Sequence, residues 1–274
     1  YIGGFLIYFF IFMFGAQVMR GVIEEKTNRI VEIIISSVKP FQLMMGKIVG
    51  IGLVGLTQFA LWVILTLGLI TIGKAAFFPE LGTPAADEVV AQDFMKSTPA
   101  SQSGMLGDLQ KSSEAASLAE NDEVQQIFSA LKDVNIPLML GSFIFFFLGG
   151  YLLYSSLFAA VGSAVDNEAD TQQFMLPITI PLILAIIVMI SAINNPQGSI
   201  AFWFSIIPFT SPVVMMVRIP FGVPEWEMAL SMGLLVLTFI GTTWLSGKIY
   251  RTGILMYGKK VNYRELWKWI RYKF

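Results

Sequence analysis

Side chains able to do chemistry are few in this chain, and they are unevenly placed. Among its 274 residues there is no cysteine and no histidine. That removes thiolate ligands, disulfides, the commonest general base and the commonest metal ligand. No catalytic residue and no metal site is assigned. The richest charged stretch is Glu24 to Lys47, EEKTNRIVEIIISSVKPFQLMMGK. On a helix from Glu24 to Val38, Glu25, Lys26, Arg29, Glu32 and Ser36 share one arc, with Ile33 intruding, while Ile30, Val31, Ile34, Ile35 and Val38 share the other. Pro40 is expected to stop this helix, since its ring clashes with the preceding turn. Phe41 to Met45 then leads back to Gly46-Lys47. The chemistry on offer is charge pairing. Its counterpart is either lipid headgroups along an interfacial helix, or a protein groove whose charges set register and specificity. A shorter acidic group, Asp166, Glu168 and Asp170, reads as a solvated turn or as a further contact of the same kind.

Nucleotide chemistry is not encoded. No Gly-x-x-x-x-Gly-Lys-Ser/Thr is present, and Gly46-Lys47-Ile48 lacks the upstream glycine. The long apolar runs carry polar but no ionisable side chains. Gln17, Thr57, Gln58 and Thr179 are the candidates for lining a substrate path, although such residues more often bond within their own or a neighbouring helix. The lack of intramembrane ionisable groups argues against a proton-driven secondary transporter.

The elements that position these residues follow from composition. The chain is 55% hydrophobic and 14% charged, against about 25% charged in soluble domains, so it is an integral membrane protein. A crossing helix needs roughly 20 apolar residues. The expected spans are Tyr1 to Met19, Ile48 to Gly73, Leu138 to Val165, about Pro177 to Ile193, and Met228 to Gly247. A pair of short external helices, re-entrant or interfacial, is expected at about 199–217, where Pro208 and Pro212 break the run. Arg20 to Lys47 holds five basic residues and the stretch from Lys248 onward eight, whereas Lys74 to Asp133 holds ten acids and four bases. Basic loops stay inside. The first turn and the C-terminal stretch are therefore cytoplasmic and the long loop external. An odd number of spans with an external start implies at least one span upstream of Tyr1, six in the full chain.

The fold class is thus all-α and polytopic, with four segments. Residues 1–77 hold two spans and the amphipathic turn at about 24–46. Residues 78–136 form an external, partly flexible acidic loop with a helix. Residues 137–250 hold three spans and the short helices. Residues 251–274 form a cytoplasmic tail, with Tyr263, Trp267, Ile270 and Phe274 on one stripe and Arg264, Lys268 and Arg271 elsewhere, suited to the anionic inner lipid surface. Adjacency to a span makes lipid, and not nucleic acid, the partner of these bases.

Glu25, Thr27, Glu32, Ser37, Pro40, Gly46 and Lys47 occupy positions that resemble the first intracellular helix of ABC-2 type exporter permeases, including the sodium-efflux branch. One departure is Val38-Lys39 between Ser37 and Pro40, where many members have Ser-Pro directly. YLLYSSLFAAVGSAVDNEADTQQF, Tyr151 to Phe174, is similar to the family's third span entering its second cytoplasmic turn, and Ile207 to Pro212 to the segment before its last span. The resemblance implies a permease subunit without chemistry of its own, located in the inner membrane. It would pair with a second permease copy or homologue and with separate ATP-binding subunits that hold the ATP and magnesium. It also implies that Glu25, Lys26, Arg29, Glu32, Asp166 and Glu168 couple to those subunits. Two other readings stay open: an ion-gradient-driven transporter or channel, and a non-transporting scaffold acting on an envelope partner.

Overall fold

In a computed structural model of the chain, residues 2–35, 37–77, 136–256 and 262–271 are described, and all regular structure among them is helical. The order is α1 (Ile2–Thr27), α2 (Ile30–Ile35), α3 (Pro40–Phe77), α4 (Ile136–Ala164), a 3₁₀ turn (Glu168–Asp170), α5 (Thr171–Asn194), α6 (Ser199–Ile206), α7 (Ser211–Arg218), a second 3₁₀ turn (Ile219–Phe221), α8 (Glu225–Gly253) and α9 (Tyr263–Arg271). Five of these elements, α1, α3, α4, α5 with its preceding 3₁₀ turn, and α8, are long and apolar enough to cross a membrane. They coincide with the five spans read from the uncharged runs. The acidic loop and its helix lie, apart from the start of α4, outside the described residues.

The chain divides into two units, Tyr1–Leu56 with Asn135–Phe274, and Thr57–Val134. In the second, the described part is the continuation of α3 from Thr57 to Phe77. In the first, α4 is the central helix, packed along α1 on one side and α8 on the other. Small residues permit that approach. A Cβ on Gly162 would lie 2.7 Å from the Met19 carbonyl oxygen of α1, and one on Gly149 would lie 2.7 Å from Leu235 of α8. Aromatic rings fill the α1–α4 seam: Phe10 stacks on Phe14 at 5.6 Å and meets Phe147 edge-on at 5.9 Å. Tyr151 donates to the Ile48 carbonyl at 2.8 Å and so fastens α4 to the start of α3.

The short pair α6–α7 falls where Pro208 and Pro212 interrupt the apolar run. Non-helical backbone inside a membrane protein must find partners within the protein, and here it does. Thr210 Oγ1 donates to the Phe204 carbonyl at 2.6 Å, and Tyr154 Oη donates to the Phe209 carbonyl at 2.6 Å. Every residue of α7 is buried, and the helix packs on α1, α4, α5 and α6.

Two local expectations change. Residues 24–38 are not one helix. α1 continues past its apolar part to Thr27, the chain turns at Arg29 with φ 55°, and α2 ends at Ile35. Glu-Glu-Lys are good helix formers, so nothing stops α1 at the end of its span. The left-handed residue makes the corner instead. Pro40 begins α3 and does not terminate its predecessor, because at a first helical position its missing N–H costs nothing. In the tail, the buried contact is Trp269 (4% exposed), set among Ala160, Ala164 and Ile249 with Leu266 and Ile270 beside it. Trp267 is exposed, with Arg271 over its ring at 5.3 Å. α9 therefore docks on the ends of α4 and α8, through a stripe offset from the one expected.

Candidate functional site

The charged residues of the two turns gather at the end of the bundle where α1, α4 and α8 finish and α3 begins. The burial phase of α1 explains how. Ile7, Ile11, Val18 and Val22 face inward along the span, at intervals of four and seven residues, and a further step of four carries Lys26 to the inward face one turn later. Lys26 is 1% exposed. Its Nζ lies 2.9 Å from Asp166 Oδ1 and donates to the Ser163 carbonyl at 2.8 Å. Thr27 Oγ1 donates to the Asp166 carbonyl at 3.2 Å. The Ser163 carbonyl belongs to the last turn of α4, where orphan acceptors are a feature of every helix. A cation there also meets the negative end of the helix dipole. The first turn is thereby locked to the second.

A second pair braces the first turn internally. Lys47 Nζ sits 2.7 Å from Glu25 Oε2, joining the end of α1 to the second turn of α3 across the corner made by α2. On the far side, a Cβ on Gly253 of α8 would meet the Ser163 carbonyl at 2.8 Å. Residues 160–166 of α4 and its exit thus receive Lys26, the end of α8 and Trp269 of α9.

The six candidate coupling residues separate into two groups. Lys26 and Asp166 are brought together inside the fold, and Glu25 is half-buried against Lys47. Lys26 on the polar arc is a correction: it points inward, because the phase is set by the span and not by the turn. Arg29, Glu32 and Glu168 are exposed. Val31 is fully buried, whereas Ile30 and Ile33 are exposed at 42 and 76%, so α2 enters the protein through Val31, with Glu32 and Ile33 outward. Sequence reasoning missed Lys47 as a partner of Glu25 and the Ser163 carbonyl as a partner of Lys26. Extending the α1 stride would have found the inward lysine, but no local signal marks the carbonyl.

The four candidate path residues lie on three helices. Gln17 on α1 is exposed, Thr57 and Gln58 on α3 are exposed, and Thr179 donates to its own helix at the Met175 and Leu176 carbonyls, 3.1 and 3.2 Å away.

Comparison with known proteins agrees with this architecture. The family model described as ABC-2 family transporter protein matches residues 1–248. The chain is 30% identical over 97% of its length, and 53% of the relative's, to the Uncharacterized protein YhaP of Bacillus subtilis (strain 168). It is 27% identical over 96% of its length, and 51% of the relative's, to the Uncharacterized protein MJ1024 of Methanocaldococcus jannaschii. The chain thus spans about half the length of the curated relatives it matches. No solved structure matches. Five apolar helices, the two charged turns and a match over nearly the whole sequence place this multi-pass membrane chain in the ABC-2 transporter family.

Proposed function

We propose that the chain is the membrane half of an ATP-driven exporter in the cytoplasmic membrane, with the two charged turns receiving work from separate ATP-binding subunits. The observation that carries this reading is the pairing of Lys26 with Asp166 and the Ser163 carbonyl. Through it, a force on the first turn reaches the end of the central helix α4 without passing through a flexible loop. Arg29, Glu32 and Glu168 are the exposed contacts, suited to a charged groove in a partner. ATP and magnesium belong to that partner. A second permease copy or homologue completes the pathway, and the bases of α9 rest on anionic lipid.

These 274 residues hold no cysteine, so once any cysteine elsewhere in the full-length protein is replaced, single cysteines at Arg29 or Glu168 report only their own surroundings. In the full-length protein expressed with its ATP-binding subunits, cysteines at both positions cross-link to those subunits. Arg29→Glu with Glu32→Lys abolishes ATP-dependent transport while the protein still inserts and folds. Purification without an associated ATPase, together with transport that follows an ion gradient, overturns the proposal in favour of a gradient-driven transporter. Purification without transport of any kind favours the scaffold reading.

A further inference from the structure

At the opposite end of α8, roughly 40 Å from the charged turns at 1.5 Å per residue, a second ion pair is buried. Arg218, the last residue of α7, is 4% exposed and Glu227, in the first turn of α8, 7%. Arg218 Nη2 lies 2.9 Å from Glu227 Oε2, Nη1 donates to Ser205 Oγ at 2.5 Å, and Nε donates to the Pro196 carbonyl at 2.8 Å. Ser231 Oγ donates to the Ser205 carbonyl at 2.7 Å. These bonds fasten the α5–α6 connection, α6, α7 and α8 to one another.

The pair does more than tie helices together, because it lines a cavity of about 360 Å³, within the size range of small-ligand pockets. Phe202, Trp203, Ser199 and Phe221 are part of the wall beside Arg218 and Glu227. The charge arrangement selects the ligand. A guanidinium carries five donors, and three are used by Ser205, Pro196 and Glu227. A lone anion entering the cavity would meet Glu227, and a lone cation would meet Arg218. A group carrying both charges meets a complementary partner at each end. The phenyl ring of Phe202 already carries the guanidinium, 5.9 Å from its centroid, and the indole of Trp203 adds a face suited to an ammonium group.

We propose that this cavity binds a zwitterionic amine–phosphate or amine–carboxylate group, its anion on Arg218 and its ammonium between Glu227 and the aromatic wall. The surroundings favour a source in the membrane. Trp203 and Phe221 of the wall are exposed by 62 and 48%, as is Trp226 beside Phe202 by 59%, and such aromatic residues concentrate at the level of lipid headgroups. The same chemistry occurs in a soluble aminoalkyl phosphate.

The test uses the full-length protein with its partner subunits in nanodiscs of mixed phosphatidylethanolamine and phosphatidylglycerol. Lipid retained after mild delipidation is identified by native mass spectrometry. The zwitterionic lipid is expected to be retained about tenfold over the anionic one, the scale of one desolvated ammonium–aromatic contact. Glu227→Gln removes this preference. Ser199→Trp, which fills the cavity and leaves the ion pair intact, removes retention and remains informative if the Glu227 variant fails to fold. Millimolar phosphoethanolamine is the second arm. Displacement of the lipid supports the site and shows that it accepts soluble zwitterions, whereas retention of the lipid supports a site for lipid alone. Equal retention of both lipids in the wild type, or an unchanged preference in the Ser199→Trp protein, overturns the proposal.

Discussion

Lys26 and Asp166 share one ion pair but not one environment, and the difference makes a prediction. Lys26 is 1% exposed and Asp166 30%. Removing one member of a buried pair is costly because it strands the other. Asp166→Asn removes the opposite charge beside a buried ammonium and is expected to cost about 3 kcal/mol. Lys26→Met removes the opposite charge beside a carboxylate whose side chain is 30% exposed and should cost about 1 kcal/mol. Thermal unfolding in detergent ranks the two variants. If Lys26→Met is the more damaging, the lysine is not the desolvated partner. A second contrast concerns close approach. Gly162→Val drives a methyl into the Met19 backbone and should lose about 1–3 kcal/mol. Gly50→Ala meets nothing within 4 Å and should be neutral or slightly stabilising on the same assay.

At the scale of elements, the turn, the broken pair and the tail each carry a different lesson. The short pair α6–α7 was legible because prolines interrupt an apolar run, but its stability comes from side chains that bond freed carbonyls. Thr210→Val removes the bond to Phe204 and is expected to cost about 1–3 kcal/mol, read as a lowered unfolding temperature with α1 and α4 unaffected in the folded protein. For the tail, helical phase predicted an amphipathic element correctly, but its buried stripe runs through Leu266, Trp269 and Ile270. Trp269→Ala should cost about 3–5 kcal/mol if α9 is docked in the folded protein. Trp267→Ala should be close to neutral, and equal effects from the two would mean that α9 does not dock through Trp269. The amphipathic turn was legible as a charged face and an apolar face. Its division into α1, a left-handed corner and α2 was not, because a single residue at φ 55° leaves no mark on periodicity.

For the whole molecule, charge asymmetry and the five apolar runs predict a sidedness that can be measured directly. These 274 residues hold no cysteine; with any cysteine elsewhere in the full-length protein replaced, a cysteine at Gln197 is expected to react with an impermeant maleimide from outside intact cells. One replacing Arg264 should react only after permeabilisation. The reverse pattern would invert the placement of both ion-pair centres and with it the assignment of the charged turns to ATP-binding partners.

Composition and spacing alone determined that the chain lies in a membrane, how many times its apolar helices can cross and where the pair of short helices falls. These are sums over neighbouring residues, since transfer of apolar side chains acts locally. Only the tertiary structure decided which charges are internal. Lys26 and Glu25 are adjacent in sequence and chemically alike as members of a polar arc. Yet Lys26 meets a carbonyl 137 positions away, Glu25 turns to Lys47, and Arg29 and Glu32 remain outward. The partners of Lys26 depend on where α4 ends beside α1, a long-range consequence of small residues that let the two helices close together. No local pattern encodes that distance.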